Sequence, residues 1–367
     1  MKIEILQEEL LKGMAVVMRA VSNRTQLPVL SSIRIEAKPT EIVLSATDLE
    51  IGIRLVISAK VEEVGVFAVP AKTFSELLST LSPGKLSMEL KEMVLTIKSG
   101  SFKGKITTVD ASEFPVLPTM KESLIEMSSS ELSQGILNVG FASAKDSLRP
   151  VLTGVLMEVS QSLRLVATDG FRLAVATVKI KGSTATQGLS LLVPARALFE
   201  CGKIIKEGVI KIGYLPESKQ VLFEGEQLLF ITQIIEGNFP DYNKILPKEF
   251  VERITLSREE LLGAVKTALV FARDNSNMMK WTVTRGKLSV AASSTGSGEG
   301  SIEVGAKTEG EESLEVIFNA KYVMDYLQLL STESIWIGLG GKLAPGMIAE
   351  SDAGRENTFY VVMPINA

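Results

Sequence analysis

Apolar residues near the start of the chain recur at the spacing of one face of a helix. Leu10, Met14, Val17 and Val21 fall on one side of a helix at 100° per residue. Polar and charged residues lie between them, so the pattern predicts an amphipathic helix whose apolar side faces a core. Residues 1–4 are expected to lead directly into this helix.

Alternating apolar and polar residues follow and predict an antiparallel sheet. A second helix is expected from near Lys72 to Leu81, because Pro70 ends the strand run and Pro83-Gly84 stops the helix. The unit is therefore an α+β arrangement of two helices against an antiparallel sheet. Its predicted strands cover residues 33–35, 42–46, 51–56, 64–69, 85–90, 93–99 and 102–108.

The same unit recurs three times along the chain. In each unit a short motif joins the end of a strand to the second helix. It is Val69-Pro70-Ala71-Lys72, then Val193-Pro194-Ala195-Arg196, then Phe318-Asn319-Ala320-Lys321, and the copies are 124 and 125 residues apart. Leu44-Ser45-Ala46-Thr47-Asp48 returns as Leu165-Val166-Ala167-Thr168-Asp169. Such spacing indicates one unit used three times, with domains expected at 1–120, 126–247 and 252–367.

Composition narrows the range of possible functions. The 367 residues include no histidine, which removes the usual general base near neutral pH and lowers the expectation of catalysis. The only cysteine, Cys201, is predicted to be a buried and inert thiol on a helix. We expect no enzyme activity, cofactor or metal, and, without a signal or membrane-spanning pattern, a cytoplasmic protein.

Basic residues recur in pairs seven residues apart on three predicted helices. The net charge of −4 argues against nucleic acid as a partner, but the local arrangement of charge decides binding. Side chains at this spacing could contact phosphates without reading bases, while a solvated helix face explains any single pair equally well. Both interpretations stay open at this point for Lys12 with Arg19, Arg196 with Lys203, and Lys266 with Arg273.

Several motifs in one order resemble a known family. They are Arg149-Pro150-Val151-Leu152-Thr153-Gly154, Thr168-Asp169-Gly170-Phe171-Arg172-Leu173-Ala174, Asn238-Phe239-Pro240-Asp241-Tyr242 and the terminal Val361-Val362-Met363-Pro364. Together they resemble the bacterial DNA polymerase III beta subunit, the sliding clamp, over the whole chain. The resemblance implies three clamp domains per subunit and a closed ring formed by a head-to-tail homodimer.

The resemblance also implies function and partners. Double-stranded DNA would pass through the ring without sequence-specific contacts, and the ring would be loaded by a clamp loader. It would tether the DNA polymerase III alpha subunit and other polymerases, which raises their effective concentration on DNA. Besides the three basic pairs, it implies a DNA contact at Arg24, and the neighbouring Lys145 and Arg149 are added as further candidate contacts.

A partner-peptide groove is a further expectation from the resemblance. Phe171 replaces a residue that is more polar in many relatives, and the chain ends in Ile365-Asn366-Ala367 rather than a basic and an apolar residue. Both differences affect which peptide binds best. The groove positions are Leu152, Thr168, Gly170, Arg172, Leu173, Pro240, Ile245, Leu246, Val361, Met363, Pro364 and Ile365.

The subunit interface is expected at two strand edges of opposite charge. One edge lies around Lys105, Ile106 and Thr107, and the other around Glu299, Ile302 and Glu303. Two other functions remain as alternatives. A repeat-built interaction scaffold without DNA would keep the triplication, and an enzyme would use Asp169 or Asp241 at a domain junction.

Overall fold

The computed structural model describes residues 1–22, 27–146, 148–183, 188–296, 298–310 and 313–366, without the side chains of 182 and 183. One order of helices and strands recurs three times, which confirms the predicted triplication and the α+β class. In the first repeat, α1 (Gln7–Val17) and α2 (Ala71–Thr80) accompany nine strands. These are β1 (Lys2–Leu6), β2 (Ser32–Lys38), β3 (Glu41–Thr47), β4 (Ile51–Ser58), β5 (Lys60–Glu63), β6 (Gly65–Pro70), β7 (Lys85–Lys91), β8 (Val94–Ser99) and β9 (Phe102–Thr107).

The second repeat keeps this order, with α3 (Ser129–Gly140) and α4 (Ala195–Ile204) in the positions of α1 and α2. Its nine strands have similar lengths. They are β10 (Ile125–Ser128), β11 (Gly154–Val159), β12 (Ser162–Thr168), β13 (Arg172–Lys179), β14 (Lys181–Ser183), β15 (Leu189–Pro194), β16 (Val209–Leu215), β17 (Gln220–Glu224) and β18 (Leu228–Gln233).

The third repeat has α5 (Arg258–Ala272) and α6 (Ala320–Leu327) with eight strands, because one long strand takes the place of two. That strand, β22, pairs with both β19 and β21. The strands are β19 (Glu252–Ser257), β20 (Met278–Thr284), β21 (Lys287–Ser294), β22 (Gly298–Gly310), β23 (Ser313–Asn319), β24 (Ser334–Leu339), β25 (Gly346–Ala349) and β26 (Thr358–Val362).

The chain forms two compact units. The first comprises the described residues of Met1–Ser133, Ile180–Ala185 and Glu200–Ile234, and holds two antiparallel sheets. The second comprises those of Gln134–Lys179, Thr186–Phe199 and Ile235–Ala367. It holds a single sheet of twelve strands, in the order β15-β11-β12-β13-β26-β25-β24-β19-β22-β21-β20-β23. The sheets of the first unit run β5-β1-β7-β8-β9 and β14-β10-β16-β17-β18-β4-β3-β2-β6.

Two expectations about the start of the chain were wrong. A strand, β1, precedes the first helix, and its alternate residues Ile3 and Ile5 are buried. The helix itself ends at Val17 and continues only as a short 3-10 turn over Met18–Ala20, so Val21 lies beyond it. Four alternating residues are too few to separate a short strand from the start of an amphipathic helix by periodicity alone.

The first helix, α1, packs against strands β3 and β4 of its sheet. Leu10, Met14 and Val17 of α1 are buried as predicted, and α1 crosses the sheet at Gly13. A Cβ atom on Gly13 would overlap the Cδ1 atom of Ile57 and lie 3.2 Å from methyl carbons of Leu44 and Leu55. The absence of a side chain at Gly13 therefore sets how closely α1 approaches β3 and β4.

Other features of the fold bear on function. Cys201 is a free thiol with no exposed surface, and burial raises its pKa, as expected of an inert cysteine. None of the helices in the described residues is long and apolar enough to cross a bilayer. Among the same residues there is no group of three or more Cys, Asp or Glu side chains arranged to hold a metal ion.

We predict that Gly13→Val destabilises the protein by about 1–3 kcal/mol, because the new methyl groups enter a space already filled by three side chains. Gly263→Val is the matched control, since Gly263 also lies in a helix but has nothing within 4 Å of the point where a Cβ atom would lie. Its effect should stay within about 0.5 kcal/mol. Thermal unfolding of both variants measures the difference, and equal shifts in Tm would contradict the close-approach argument.

Candidate functional site

The apolar residues expected to form a groove meet where β13 lies beside β26. These strands pair antiparallel, with Leu173 opposite Val361. Both side chains belong to one buried apolar cluster, and the partly buried Leu246 packs against it. Three groove residues that are far apart in sequence are therefore brought together on one sheet face.

A tight turn holds the start of β13. The Thr168 hydroxyl donates to the carbonyl of Arg172 at 2.6 Å and accepts from the Gly170 N–H at 3.0 Å. The Asp169 carboxylate accepts from the N–H groups of Phe171 and Arg172. Gly170 has φ +93°, which an L side chain rarely adopts. Thr168 and Asp169 thus hold the geometry of this turn.

Arg172 is the electrostatic centre of this region. Only 6% of its surface is exposed. Its Nε donates to Asp169 at 2.9 Å, its Nη1 to Asp325 of α6 at 2.8 Å, and its Nη2 to the carbonyl of Phe141 at 3.0 Å. The guanidinium also lies 4.5 Å from the ring centroid of Tyr322. Both carboxylates and the aromatic face compensate the charge that burial takes out of water.

Arg172 and Leu173 point to opposite faces of the sheet, as consecutive strand residues do. Leu173 joins the apolar cluster, whereas Arg172 lines a cavity of about 680 Å³. Leu152 and Gly170 line the same cavity. The cavity wall also contains Lys145, Arg149, Asn277, Asn319, Lys321 and Tyr322.

Two exposed apolar side chains at this cavity were not predicted as part of the site. Leu148 is 88% exposed and Phe171 is 63% exposed. The sequence motif marked Phe171 as unusual, but nothing local indicated that it would be solvent-exposed. Asp325 and Tyr322 were also missed, because their contact with Arg172 spans about 150 residues of sequence.

The segment from Phe239 to Leu246 crosses the apolar cluster. Tyr242 is buried in the cluster, and its hydroxyl donates to Glu158 at 2.7 Å while Arg164 lies over its ring. Burial and the hydrogen bond with Glu158 raise the pKa of Tyr242 to about 12, so its proton stays in place at neutral pH. The segment is therefore fixed, and Pro240 and Ile245 on it are exposed.

The C-terminal residues are hydrogen-bonded to the same region. The N–H of Met363 donates to the carbonyl of Phe171 at 2.9 Å, and the N–H of Ile365 to that of Ile317 at 2.8 Å. Met363, Pro364 and Ile365 are half-buried. Their side chains remain partly accessible beside the buried Val361.

The predicted basic residues that the structure describes are all exposed, but they differ in their ion pairs. Arg19 pairs with Glu200 at 2.5 Å, Lys203 with Glu200 at 2.7 Å and Lys12 with Glu9 at 2.8 Å. Burial by itself raises the pKa of Glu200, but hydrogen bonds from Lys203 and Arg19 hold it below its usual value. Arg24 lies outside the described residues.

Lys266 and Arg273 are different. Both are exposed on α5 or at its end, and neither has a carboxylate within 4 Å among the described residues. Arg196 is exposed in the first turn of α4. Lys145 and Arg149 lie at the cavity wall.

The two predicted interface segments lie at strand edges. β9 is the last strand of the five-stranded sheet, with Lys105 and Thr107 exposed and Ile106 half-buried opposite Leu95. Residues 298–305 of β22 pair with β21, while β19 pairs only with 306–310. The segment with Glu299, Ile302 and Glu303 thus has one side without a strand in the described chain.

Comparison with known proteins decides the family. Sequence models of the DNA polymerase III beta subunit match in chain order: the N-terminal domain at residues 1–118, the central domain at 126–241 and the C-terminal domain at 243–366. The chain belongs to the DNA polymerase III beta subunit family. Its three matched domains confirm the resemblance found in the sequence.

Relatives of this family cover the whole chain. The beta sliding clamp of Chlamydia muridarum is 30% identical over 100% of this chain and 99% of its own length. The DNA polymerase sliding clamp of Bacillus subtilis has a TM-score of 0.94 at 27% identity, covering 100% of this chain and 99% of that one. The DNA polymerase III beta subunit of Thermotoga maritima has a TM-score of 0.90 at 29% identity, with 100% and 99% covered.

We predict that Arg172→Met destabilises the protein by about 3–5 kcal/mol, because Asp169 and Asp325 lose the charge that compensates them. Lys280→Met is the control, since Lys280 pairs with Glu315 at 3.1 Å on the surface. Such an exposed pair contributes at most about 1 kcal/mol. Chemical denaturation measured for both variants tests this. A loss for Arg172→Met no greater than for the control would mean that the buried network adds little.

Proposed function

We propose that this protein is a sliding clamp that encircles duplex DNA and tethers replication proteins to it, with no reaction of its own. The observation that carries the proposal is the threefold recurrence of one helix-and-sheet unit across a chain whose whole length matches the clamp family. The domains at 1–120, 126–247 and 252–367 are proposed on the same basis. Two copies would close a head-to-tail ring.

Contact with DNA is proposed to run through exposed basic side chains on the helices. Lys266 and Arg273 can meet phosphates without first leaving a carboxylate partner within the described chain. Lys12, Arg19 and Lys203 must exchange a carboxylate for a phosphate, and exposed ion pairs are weak enough for that exchange. Arg24, Lys145, Arg149 and Arg196 are further proposed contacts. Binding of this kind is independent of sequence and weakens as salt rises.

The subunit contact is proposed between β9 of one copy and residues 298–305 of β22 of the other. Both segments offer unpaired backbone groups on one side, which supports pairing of two strands. Lys105 on one edge and Glu299 on the other carry complementary charges, and Ile106 and Ile302 are half-buried apolar side chains. Glu303 already pairs with Lys287 at 2.6 Å and would contribute less.

We predict that the loaded protein stays on a nicked DNA circle and is lost when the circle is cut, since closure of the ring rather than affinity retains it. Ile106→Lys should sediment as a monomer and lose retention on circles, because it places a second charge in the interface. Gel filtration of clamp–DNA complexes before and after linearisation measures the outcome. Equal loss from circular and linear DNA would exclude encirclement.

The same experiment distinguishes a sliding clamp from the alternative function. An interaction scaffold built from the same repeats, without DNA, would not distinguish circular from linear molecules. The family match supports the clamp over that scaffold.

Peptides of the polymerase alpha subunit, of other polymerases and of the clamp loader are the proposed occupants of the groove. Pro240, Ile245, Met363, Pro364 and Ile365 offer accessible apolar surface around the buried Leu173 and Val361. Leu152, Thr168, Gly170, Arg172 and Leu246 complete the proposed site. A flexible methionine side chain suits a groove that accepts several peptides. The anchor side chain of such a peptide would be a Leu or Phe.

We predict that deleting residues 363–367 weakens binding of a polymerase C-terminal peptide by about thirtyfold or more, which corresponds to about 2 kcal/mol for a central anchor. Deleting only residues 366–367 is the control and should have little effect, since Asn366 is exposed at the end of the segment. Fluorescence anisotropy with a labelled peptide gives both affinities. If the longer deletion binds as tightly as the intact chain, the proposed groove is only internal packing.

A further inference from the structure

A second cavity lies in the first unit, on the sheet face opposite α1. It has a volume of about 360 Å³ and lies between strands β2, β3 and β4 and the segment 111–117. Leu44 and Leu55 point toward α1, so the alternate residues Ser45 and Arg54 point into the other face. Neither the basic helix residues nor the apolar groove includes this cavity.

Three of the four ionisable side chains described in the cavity wall are basic. Arg34, Ser45 and Arg54 form a row across three neighbouring strands, with Arg34 opposite Ser45 and Ser45 opposite Arg54. Lys38 is the third cation, and Glu36 is the only carboxylate among the described wall residues. The cavity is thus strongly cationic within a chain whose net charge is −4.

The carboxylate in the wall does not neutralise these cations. Glu36 pairs with Arg34 at 2.8 Å, while Arg54 has no carboxylate within 4 Å among the described residues. The hydrogen bond from Arg34, with added attraction from Lys38 and Arg54, holds the pKa of Glu36 below its usual value against the effect of burial. An acidic ligand could therefore pair with Arg54 directly and share Arg34 with Glu36.

The segment that covers the cavity is held at both ends. Phe114 packs with Val29, Leu30 and Val109, and Leu117 packs on Leu222, Leu229 and Ile231. Between these anchors, Val116 is 95% exposed at the rim of the cavity. The cover is thus fixed in place, and it offers an apolar side chain beside the cations.

The repeat shows how unusual this composition is. In the second repeat, Leu156 lies opposite Val166 and Val166 opposite Val175, in the same register as Arg34, Ser45 and Arg54. Those three apolar residues pack with Phe239 of the segment equivalent to 111–117. The first repeat has basic residues at two of the positions where the second repeat has apolar packing residues.

We propose that this cavity binds an acidic peptide segment of a partner protein. Its carboxylates would pair with Arg54 and Arg34, and an adjacent apolar side chain would pack on Val116. The volume lies at the lower end of the usual range for ligand pockets and accommodates one or two acidic side chains. Nucleic acid is the less favoured source of negative charge, because the cavity lies on the opposite face of the sheet from α1, whose exposed side carries Lys12.

The test is a fluorescence anisotropy titration of the intact protein with a labelled decapeptide that contains two Asp, two Glu and two Leu among Gly and Ser. The same peptide with Asn and Gln in place of the acids is the neutral probe. The acidic peptide should bind at least about tenfold more tightly than the neutral one, since charge-assisted hydrogen bonds dominate the contact. Its affinity should fall as salt rises.

Variants locate the contact. Arg34→Gln with Arg54→Gln should reduce the affinity at least about tenfold, whereas Arg285→Gln, the same change at an exposed turn residue, should leave it within about twofold. Val116→Glu is a second variant that cannot disturb the core, and it should weaken binding several-fold by repulsion. Deleting residues 363–367 should have no effect, which separates this site from the proposed groove.

Several results would overturn the proposal. They are a dissociation constant above about 1 mM for the acidic peptide, equal binding of the neutral peptide, and equal losses for the double variant and Arg285→Gln. Displacement of the peptide by a single-stranded oligonucleotide at lower concentration than by unlabelled peptide would assign the cavity to nucleic acid instead.

Discussion

Backbone pairing between strands of different repeats is the constraint on which the rest of this structure depends. β18 of the second repeat pairs with β4 of the first, and β26 of the third pairs with β13 of the second. A lone repeat would end its sheet in an open edge, whose unsatisfied N–H and C=O groups promote aggregation. The pairing of repeats satisfies these groups and produces sheets of nine and twelve strands.

The site is a direct result of that pairing. Because β26 is the last strand of the chain, its pairing with β13 carries the C-terminal residues to the turn that holds Gly170 and Phe171. The apolar cluster beneath the proposed groove then contains residues from two repeats and from the segment between them. No single repeat supplies all of the residues of this cluster.

Sequence alone predicted the parts of the fold that depend on local pattern. The helix from Ala71 to Thr80 and the strand that ends at Pro70 lie where proline and apolar periodicity placed them. The offsets between matching motifs are nearly constant, which predicted three repeats of similar length. A long insertion in one copy would have changed the offset to the next. β1 was missed because its five residues are too short a run for either period to dominate.

The electrostatic part of the site could not be predicted in this way. Arg172 meets Asp325 across 153 residues, Tyr242 meets Glu158 across 84, and Arg19 meets Glu200 across 181. Such pairs depend on how strands are ordered in the sheets, which spacing along the chain does not encode. The family resemblance supplied the groove residues, but not the exposed Phe171 and Leu148 beside them or the carboxylates around Arg172.

The length of β22 has a mechanical consequence. One continuous backbone carries the open segment 298–305 and the segment 306–310 that is bonded to β19. No loop separates the two segments, so a force applied along the open segment reaches the hydrogen bonds with β19 directly. These bonds are then loaded together in shear rather than opened one after another. At the edge proposed for the subunit contact, the third repeat therefore carries load through one continuous strand.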